Sequence, residues 1–110
     1  MNKHERAMQI FPLLIFAARK GVRVTYKELS TATGIATIGL GRCLGVIKDV
    51  CDENNFPPLT AIVVSTVTGE SSYSEHEEER TAKINSVYNY YWDVARVMVE
   101  EILKKENEND

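Results

Sequence analysis

The sequence has few of the features that mark several common protein classes. Its 110 residues include only three prolines and two cysteines, which excludes a proline-rich linker and a disulfide framework. The longest uninterrupted apolar run, residues 13–18, is too short to span a bilayer, and the N-terminus shows no signal-peptide cleavage pattern. The chain is also too short for two independent hydrophobic cores. We therefore expect one small domain without a membrane span, in a reducing, cytoplasmic compartment.

Signatures of catalysis and of cofactor binding are also missing. The sequence has no Walker loop or dinucleotide-binding glycine pattern, and no catalytic triad has local support. His4 and His76 lie in polar stretches, without the second histidine of a zinc-protease helix. Cys43 and Cys51 would lie roughly 12 Å apart on one helix, beyond disulfide reach, so both are expected to pack as small apolar side chains. We therefore predict no enzyme, no metal site and no small-molecule cofactor.

Charge is distributed unequally along the chain. Residues 1–50 carry eight basic and three acidic residues, a net charge of +5, whereas residues 51–110 carry five basic and thirteen acidic residues, a net charge of −8. A basic half can approach nucleic-acid phosphates while an acidic half is repelled, so this polarity would orient the protein on DNA. The alternative is that the acidic excess is a solvated helix face followed by a disordered tail over residues 104–110.

The first predicted helix covers residues 7–18, where apolar side chains recur at three- and four-residue spacing. Pro12 has no backbone N–H, so it is expected either to kink this helix or to mark its first turn. Gly21 is a natural helix end. The alternating residues 22–24 then predict a brief strand.

A helix-turn-helix is predicted next. Thr25 and Glu28 have the spacing of a capping box, which predicts a short helix over residues 26–33. After a glycine-containing turn, a second amphipathic helix is predicted over residues 37–53. A short helix, a tight turn and a longer helix are typical of this motif, and we expect the segment that opens at Thr37 to face outward.

The second half of the chain predicts a β-wing and a long helix. Residues 59–65 read as a buried strand, residues 66–69 as a hairpin tip, and residues 72–73 as the returning strand. Residues 77–105 contain no glycine or proline, and a straight helix of that length would span roughly 43 Å, more than a compact domain of this size allows. The helix must therefore start late, break, or pack on another chain. Its aromatic group, residues 88–92, packs either on the first helix or on a second copy.

Two glycines on the second helix of the predicted motif indicate a close approach. Gly41 and Gly45 lie one turn apart, where each costs roughly 1 kcal/mol relative to alanine. Such residues are kept where another backbone comes near, which is either a packed helix or a nucleic acid. In the second case Thr37, Arg42 and Lys48 would supply donors to the groove.

The order of these signals resembles a known DNA-binding family. From Val24 to about Gly69 the chain is similar to the C-terminal domain of O6-alkylguanine-DNA alkyltransferases and of the alkyltransferase-like proteins. The resemblance rests on three segments: VTYKELS at residues 24–30, IGLGRCL at residues 38–44 and the proline-led PLTAIVV at residues 58–64. It covers about 45 of the 110 residues and implies a winged helix-turn-helix scaffold.

The resemblance also implies roles for residues that match the motifs of the family. Tyr26 matches a tyrosine set against a DNA phosphate. Gly39 and Gly41 match the small-residue patch that lets the recognition helix enter the minor groove. Ile38 stands where the family has the arginine that extrudes a nucleotide.

The chemistry of the family is not implied, because its reactive residues are replaced. Leu59 occupies the position of the acceptor cysteine, and a leucine cannot accept an alkyl group. Thr60 replaces the histidine that would activate the thiol. What the resemblance implies is the scaffold without alkyl transfer.

The sequence therefore predicts a mainly helical α+β fold, with a winged helix-turn-helix domain over residues 1–75 and a long C-terminal helix with an acidic tail over residues 76–110. The favoured function is non-catalytic binding of double-stranded DNA, as a regulator or accessory factor that forms a homodimer through the C-terminal helix. The alternative is a protein-interaction module or inhibitor on the same scaffold. A positive face continuous through Arg23, Lys27, Arg42 and Lys48 would favour DNA, and an interrupted one protein partners. The candidate DNA-binding residues are Arg23, Tyr26, Lys27, Thr37, Ile38, Gly41, Arg42 and Lys48.

Overall fold

The computed structural model describes residues 2–65 and 77–108. This part of the chain contains five α-helices and one two-stranded parallel sheet. In chain order the elements are α1 (Lys3–Lys20), β1 (Val24–Thr25), α2 (Tyr26–Thr33), α3 (Thr37–Glu53), β2 (Val63–Val64), α4 (Glu77–Tyr88) and α5 (Trp92–Glu108).

Helix α1 lies at the centre of the fold and packs against both α3 and α5. It starts at Lys3, four residues before the predicted start, because the Asn2 side chain accepts a hydrogen bond from the Glu5 backbone N–H and caps the helix. The helix continues through Pro12, whose side chain is exposed, and ends at Gly21 in the left-handed conformation as predicted. The largest fully buried side chains of the core include Trp92, Phe11, Ile10, Leu14, Leu29, Leu40, Ile47, Leu59, Ile62 and Leu103.

Helices α2 and α3 confirm the predicted boundaries. The Thr25 hydroxyl accepts from the Glu28 backbone N–H at 3.0 Å, and the Glu28 carboxylate accepts from the Thr25 N–H at 3.1 Å, which completes the capping box. Gly34 ends α2 with φ of 75°. A three-residue turn then leads into α3, and the two helices are bent by 97° relative to each other.

The predicted strand over residues 59–65 is wrong in its first half. Residues Leu59–Ile62 form a 3₁₀ turn that begins after Pro58, and only Val63–Val64 is a strand. Side chains three apart in a 3₁₀ turn point the same way, so Leu59 and Ile62 are both fully buried. Strand β2 pairs in parallel with β1, Val24 opposite Val63. The sheet seen in the described residues is therefore not a hairpin, and the predicted tip and returning strand lie outside those residues.

The predicted long C-terminal helix is two helices. Helix α4 ends at Tyr88 and α5 begins at Trp92. The indole of Trp92 is buried and donates to the Val87 carbonyl at 2.9 Å. In a continuous helix that carbonyl would accept from the N–H of residue 91, so the indole takes its place while the chain turns. The break keeps the fold within 38 Å along its longest axis.

The end of the chain also differs from the prediction. Helix α5 runs to Glu108, so residues 104–108 are helical rather than a disordered tail. The aromatic group divides: Trp92 packs in the core with Phe56 and Tyr90 around it, while Tyr91 is exposed. In the described part of the chain, no single helix is long and apolar enough to cross a membrane.

Candidate nucleic-acid interface

The first two turns of α3 form the exposed face of the predicted motif. Leu40, Cys43 and Leu44 point into the core, which turns Thr37, Ile38, Gly41 and Arg42 to the outside (the helical repeat places these two sets on opposite sides). The Ile38 side chain is 93% exposed. The expectation that the segment opening at Thr37 faces outward is confirmed.

Two of the three glycines of α3, Gly41 and Gly45, are not required by packing within the described chain. A Cβ atom added at Gly41 or at Gly45 would meet no described atom within 4 Å. The interpretation that they allow close packing on α1 is therefore wrong. The readings that stay open are approach by a second copy, by another protein or by a nucleic acid.

The second half of α3 carries a different charge environment. The Lys48 ammonium lies 2.9 Å from the Asp52 carboxylate one turn later, and Asp49 and Glu53 are exposed nearby on the same half of the helix. The positive face through Arg42 and Lys48 is interrupted there, and by the criterion stated above this interruption favours a protein partner over DNA. Lys48 is half-buried and does not share the environment of Arg42.

The three candidates that precede α3 lie on the β1–α2 segment. Arg23 and Lys27 are exposed, on either side of β1 and the start of α2. The Tyr26 ring is half-buried and packs against the hydrophobic core, so it has less freedom to approach a phosphate than a surface tyrosine has. Of the eight predicted residues, four are gathered on the open start of α3.

Two basic residues beside this face were missed by the sequence analysis. Lys3 and Arg6, on the first turn of α1, line a surface pocket of about 550 Å³ together with Ile38 and Arg42. Both lie before the predicted start of the first helix. The signal that could have found them is the spacing of Asn2 and Glu5, which matches that of the capping box at the start of α2.

The start of α3 carries no side-chain cap. Its N-cap residue is Ala36, and no acidic residue lies in its first turn. A second pocket, of about 520 Å³, adjoins the first one and is lined by Arg6, Ile38 and the turn between α2 and α3. Helix N-termini carry a partial positive charge and unsatisfied N–H groups, so this end of α3 favours an anion.

Burial explains the behaviour of the two cysteines. Both are free and buried, as predicted. Desolvation raises the pKa of the Cys43 thiol, against smaller opposing effects of Arg6, of a backbone hydrogen bond and of Arg42. Desolvation also raises the pKa of the Cys51 thiol, opposed by a backbone hydrogen bond at Leu59. Leu59 itself is completely buried.

A separate exposed surface lies on the first turns of α5 and on Tyr91, the residue that precedes this helix. Tyr91, Val94 and Met98 follow helical spacing and are exposed together with Val97, while Ala95, Val99 and Leu103 face the core. We call these four exposed side chains the α5 apolar face. No group of three His, Cys, Asp or Glu side chains that could hold a metal ion occurs among residues 2–65 and 77–108.

Comparisons with protein-family models, with curated proteins and with solved structures gave no match. The likeness to the alkyltransferase DNA-binding domain is therefore a resemblance of motifs and of their order. The function proposed below is argued from the geometry of this chain.

Proposed function

We propose that the protein is a non-catalytic DNA-binding protein that inserts the start of α3 into a groove of double-stranded DNA, as a regulator or accessory factor. The observation that carries this proposal is the open, cationic start of α3, with Ile38 93% exposed beside Arg42.

The geometry of α2 and α3 matches what a helix-turn-helix requires. The angle of 97° and the three-residue turn fall within the range of that motif, which is about 90–120° with a turn of three or four residues. In such motifs the residues at the start of the second helix contact the bases. Four residues of that start, Thr37, Ile38, Gly41 and Arg42, are exposed.

The charges support the same orientation. Arg42 of α3 and Arg6 of α1 face one pocket at this end of the protein, whereas the last turns of α3 carry Asp49, Asp52 and Glu53. DNA phosphates attract the first set and repel the second, so the start of α3 would approach the duplex first.

A fluorescence-anisotropy titration of a labelled duplex at increasing salt concentration tests the proposal. Each phosphate contact would contribute about −0.9 to the slope of log K against log salt, so several contacts make the affinity fall steeply. We expect measurable binding at low salt and this steep decline. If no duplex binds even at low salt, the proposal is wrong.

A second function, self-association, is supported by the α5 apolar face. Its four side chains expose on the order of 400 Å², which lies within the size of functional patches but is about half of the ~800 Å² that each partner buries in a stable complex. We propose a weak homodimer in which two copies of this face meet. The neutral character of Tyr91, Val94, Val97 and Met98 suits a second apolar face better than it suits DNA.

Light scattering across a concentration series tests this association. The double variant Val94→Lys/Met98→Lys should be monomeric at concentrations where the wild type associates, because each copy would bring two ammonium groups into an apolar contact. Lys104→Gln, elsewhere on α5, should leave the association unchanged. Equal behaviour of the wild type and the double variant would remove the homodimer proposal.

A further inference from the structure

The pocket between the first turn of α1 and the start of α3 has a composition that DNA recognition by α3 alone does not explain. Among the described residues that line it are three cations, Lys3, Arg6 and Arg42, and no carboxylate. The charges come from two separate helices, α1 and α3. The packing of these helices, and not a basic run in the sequence, therefore brings them together.

The arginines in this pocket have no acidic partner within the part of the chain that the structure describes. Arg19, Lys48 and Arg96 each lie against a carboxylate, Asp93, Asp52 and Glu100 respectively. Within residues 2–65 and 77–108, by contrast, neither Arg6 nor Arg42 pairs with an acidic side chain. Because Arg6 and Arg42 form no ion pair within the described residues, their guanidinium groups are available to bind an anion from solution.

The position of Arg6 is the second observation. Its Nη1 atom lies 3.4 Å from the point where a Cβ atom on Gly39 would lie, so the guanidinium rests against the first turn of α3. That turn is the positive end of a helix and has no capping side chain. The helix dipole disfavours a cation at this end, and an anion between the guanidinium and the helix would offset that effect.

We infer that Lys3, Arg6 and Arg42 form a phosphate-binding site that holds one backbone phosphate of bound duplex DNA beside the start of α3. This inference rests on the proposed function. A guanidinium presents two parallel N–H donors that fit two phosphate oxygens. The pocket has room for the phosphate, and none of the described residues that line it is an aromatic on which the base of a free nucleotide would stack.

The site would fix the register of α3 on the DNA without reading sequence. Phosphate contacts position a protein on the duplex, whereas contacts to base edges specify the site. Ile38 lines the same pocket and is almost completely exposed. With a phosphate held by Arg6 and Arg42, Ile38 would face the adjoining groove.

The experiment compares Arg6→Gln with Lys20→Gln, each titrated with labelled duplex DNA across a range of salt concentrations. Both variants remove one positive charge from α1, but the two positions lie roughly 21 Å apart along the helix. Arg6→Gln should lower affinity about tenfold and reduce the salt slope by at most about 0.9, the value for complete loss of the one phosphate that this site holds. Lys20→Gln should change neither quantity beyond what one distant charge causes, about twofold. Thermal unfolding of both variants checks that the fold is kept.

Two further arms separate the outcomes. Arg6→Lys, which keeps the charge but loses the paired donors, should retain the slope and only part of the affinity. If Arg6→Gln binds within twofold of Lys20→Gln with the same slope, the phosphate site is wrong while DNA binding by α3 stands. If inorganic phosphate at millimolar concentration competes as well as an unlabelled duplex does, the pocket binds small anions and the proposed DNA-phosphate site is wrong. If the wild type binds no duplex, both proposals fall.

Discussion

The two halves of α3 share one helical backbone but have opposite surroundings. In the first half, Ile38, Gly41 and Arg42 are exposed around an uncapped helix start. In the second half, Lys48 is bound to Asp52 across one turn, and further acidic side chains are exposed. The sequence predicts Arg42 and Lys48 as equivalent DNA contacts. The acidic residue four positions after Lys48 makes the charge of that lysine less available to a phosphate. We therefore expect a basic residue with an acidic neighbour one turn away to contribute less to phosphate binding than one without such a neighbour.

The largest expected effect that tests this difference is on DNA affinity. Arg42→Gln should weaken binding of a duplex about tenfold, because it removes one charge-assisted contact. Lys48→Gln should weaken it less than twofold, because the Lys48 charge is already offset by Asp52. Anisotropy titrations at one fixed, low salt concentration measure both.

Equal losses for the two variants would contradict the comparison, since they would show that overall charge and not position decides binding. Asp52→Asn provides the converse control. It releases Lys48 from its partner and should raise affinity slightly.

A smaller and opposite pair of effects is expected at the glycines. Gly41→Ala and Gly45→Ala should each raise the free energy of unfolding by about 1 kcal/mol, because a helix interior favours alanine and the added methyl group meets no described atom. Only Gly41→Ala should weaken DNA binding, because Gly41 lies between Ile38 and Arg42 on the open half. Thermal unfolding and anisotropy together measure both properties.

For this chain the stabilisation corresponds to a rise in Tm of roughly 4–8 °C per kcal/mol. A Gly41→Ala protein that is more stable and binds DNA as well as the wild type does would show that no backbone approaches this turn. Loss of binding in both variants would instead extend the interface to the second half of α3.

The smallest expected effect concerns the two thiols, which lie one in each half. Because burial raises the pKa of Cys43 and of Cys51, the unfolded chain loses these protons first as pH rises past the ordinary thiol value of 9.0, and the free energy of unfolding should fall. The nearby charges of Arg6 and Arg42 oppose this shift at Cys43.

Urea unfolding of Cys43→Ala and of Cys51→Ala, each compared with itself at about pH 8 and about pH 10, separates the two contributions. Cys51→Ala should remove more of the pH dependence, because no arginine opposes its desolvation. A larger change in Cys43→Ala would mean that the pocket arginines lie farther from that thiol than the structure places them.

Much of the helical part of the fold was predictable because its signals are local. The capping box at Thr25 and Glu28, the glycine after α2 and the amphipathic spacing of α3 depend only on neighbouring residues, and they gave the bounds of both helices. The buried state of Cys43 and Cys51 followed from the same spacing. The outward orientation of Thr37 and Ile38 followed because the opposite side of α3 is apolar.

The sequence left three features unplaced: the site of the break in the C-terminal helix, the 3₁₀ turn at residues 59–62 and the parallel pairing of β2, of which only the last joins residues far apart in the chain. The break between α4 and α5 contains no glycine or proline and depends on the Trp92 indole reaching the Val87 carbonyl. The sequence predicted a strand over residues 59–62 because of their apolar side chains, but a 3₁₀ turn buries such side chains equally well. The parallel partner of β2 lies 39 positions earlier, at Val24.

The candidate site divides in the same way. The exposure of Arg42 and Ile38 could be predicted from the helical pattern, because their positions on α3 determine it. Arg6 was not, since its place beside Gly39 results from the packing of α1 on α3, which no local pattern reports. The charge of Lys3 and Arg6 was counted in the basic half of the sequence but could not be assigned to a surface.

The parallel pairing of β1 with β2 has a consequence for the order of folding. Its two strands can meet only after the chain between them has been drawn together, and closing so long a loop loses much conformational entropy before any bond across the sheet compensates for it. The adjacent helices α2 and α3 can form without closing such a loop. We expect amide protection in hydrogen-exchange pulse labelling to arise first in those helices and last at Val24 and Val63.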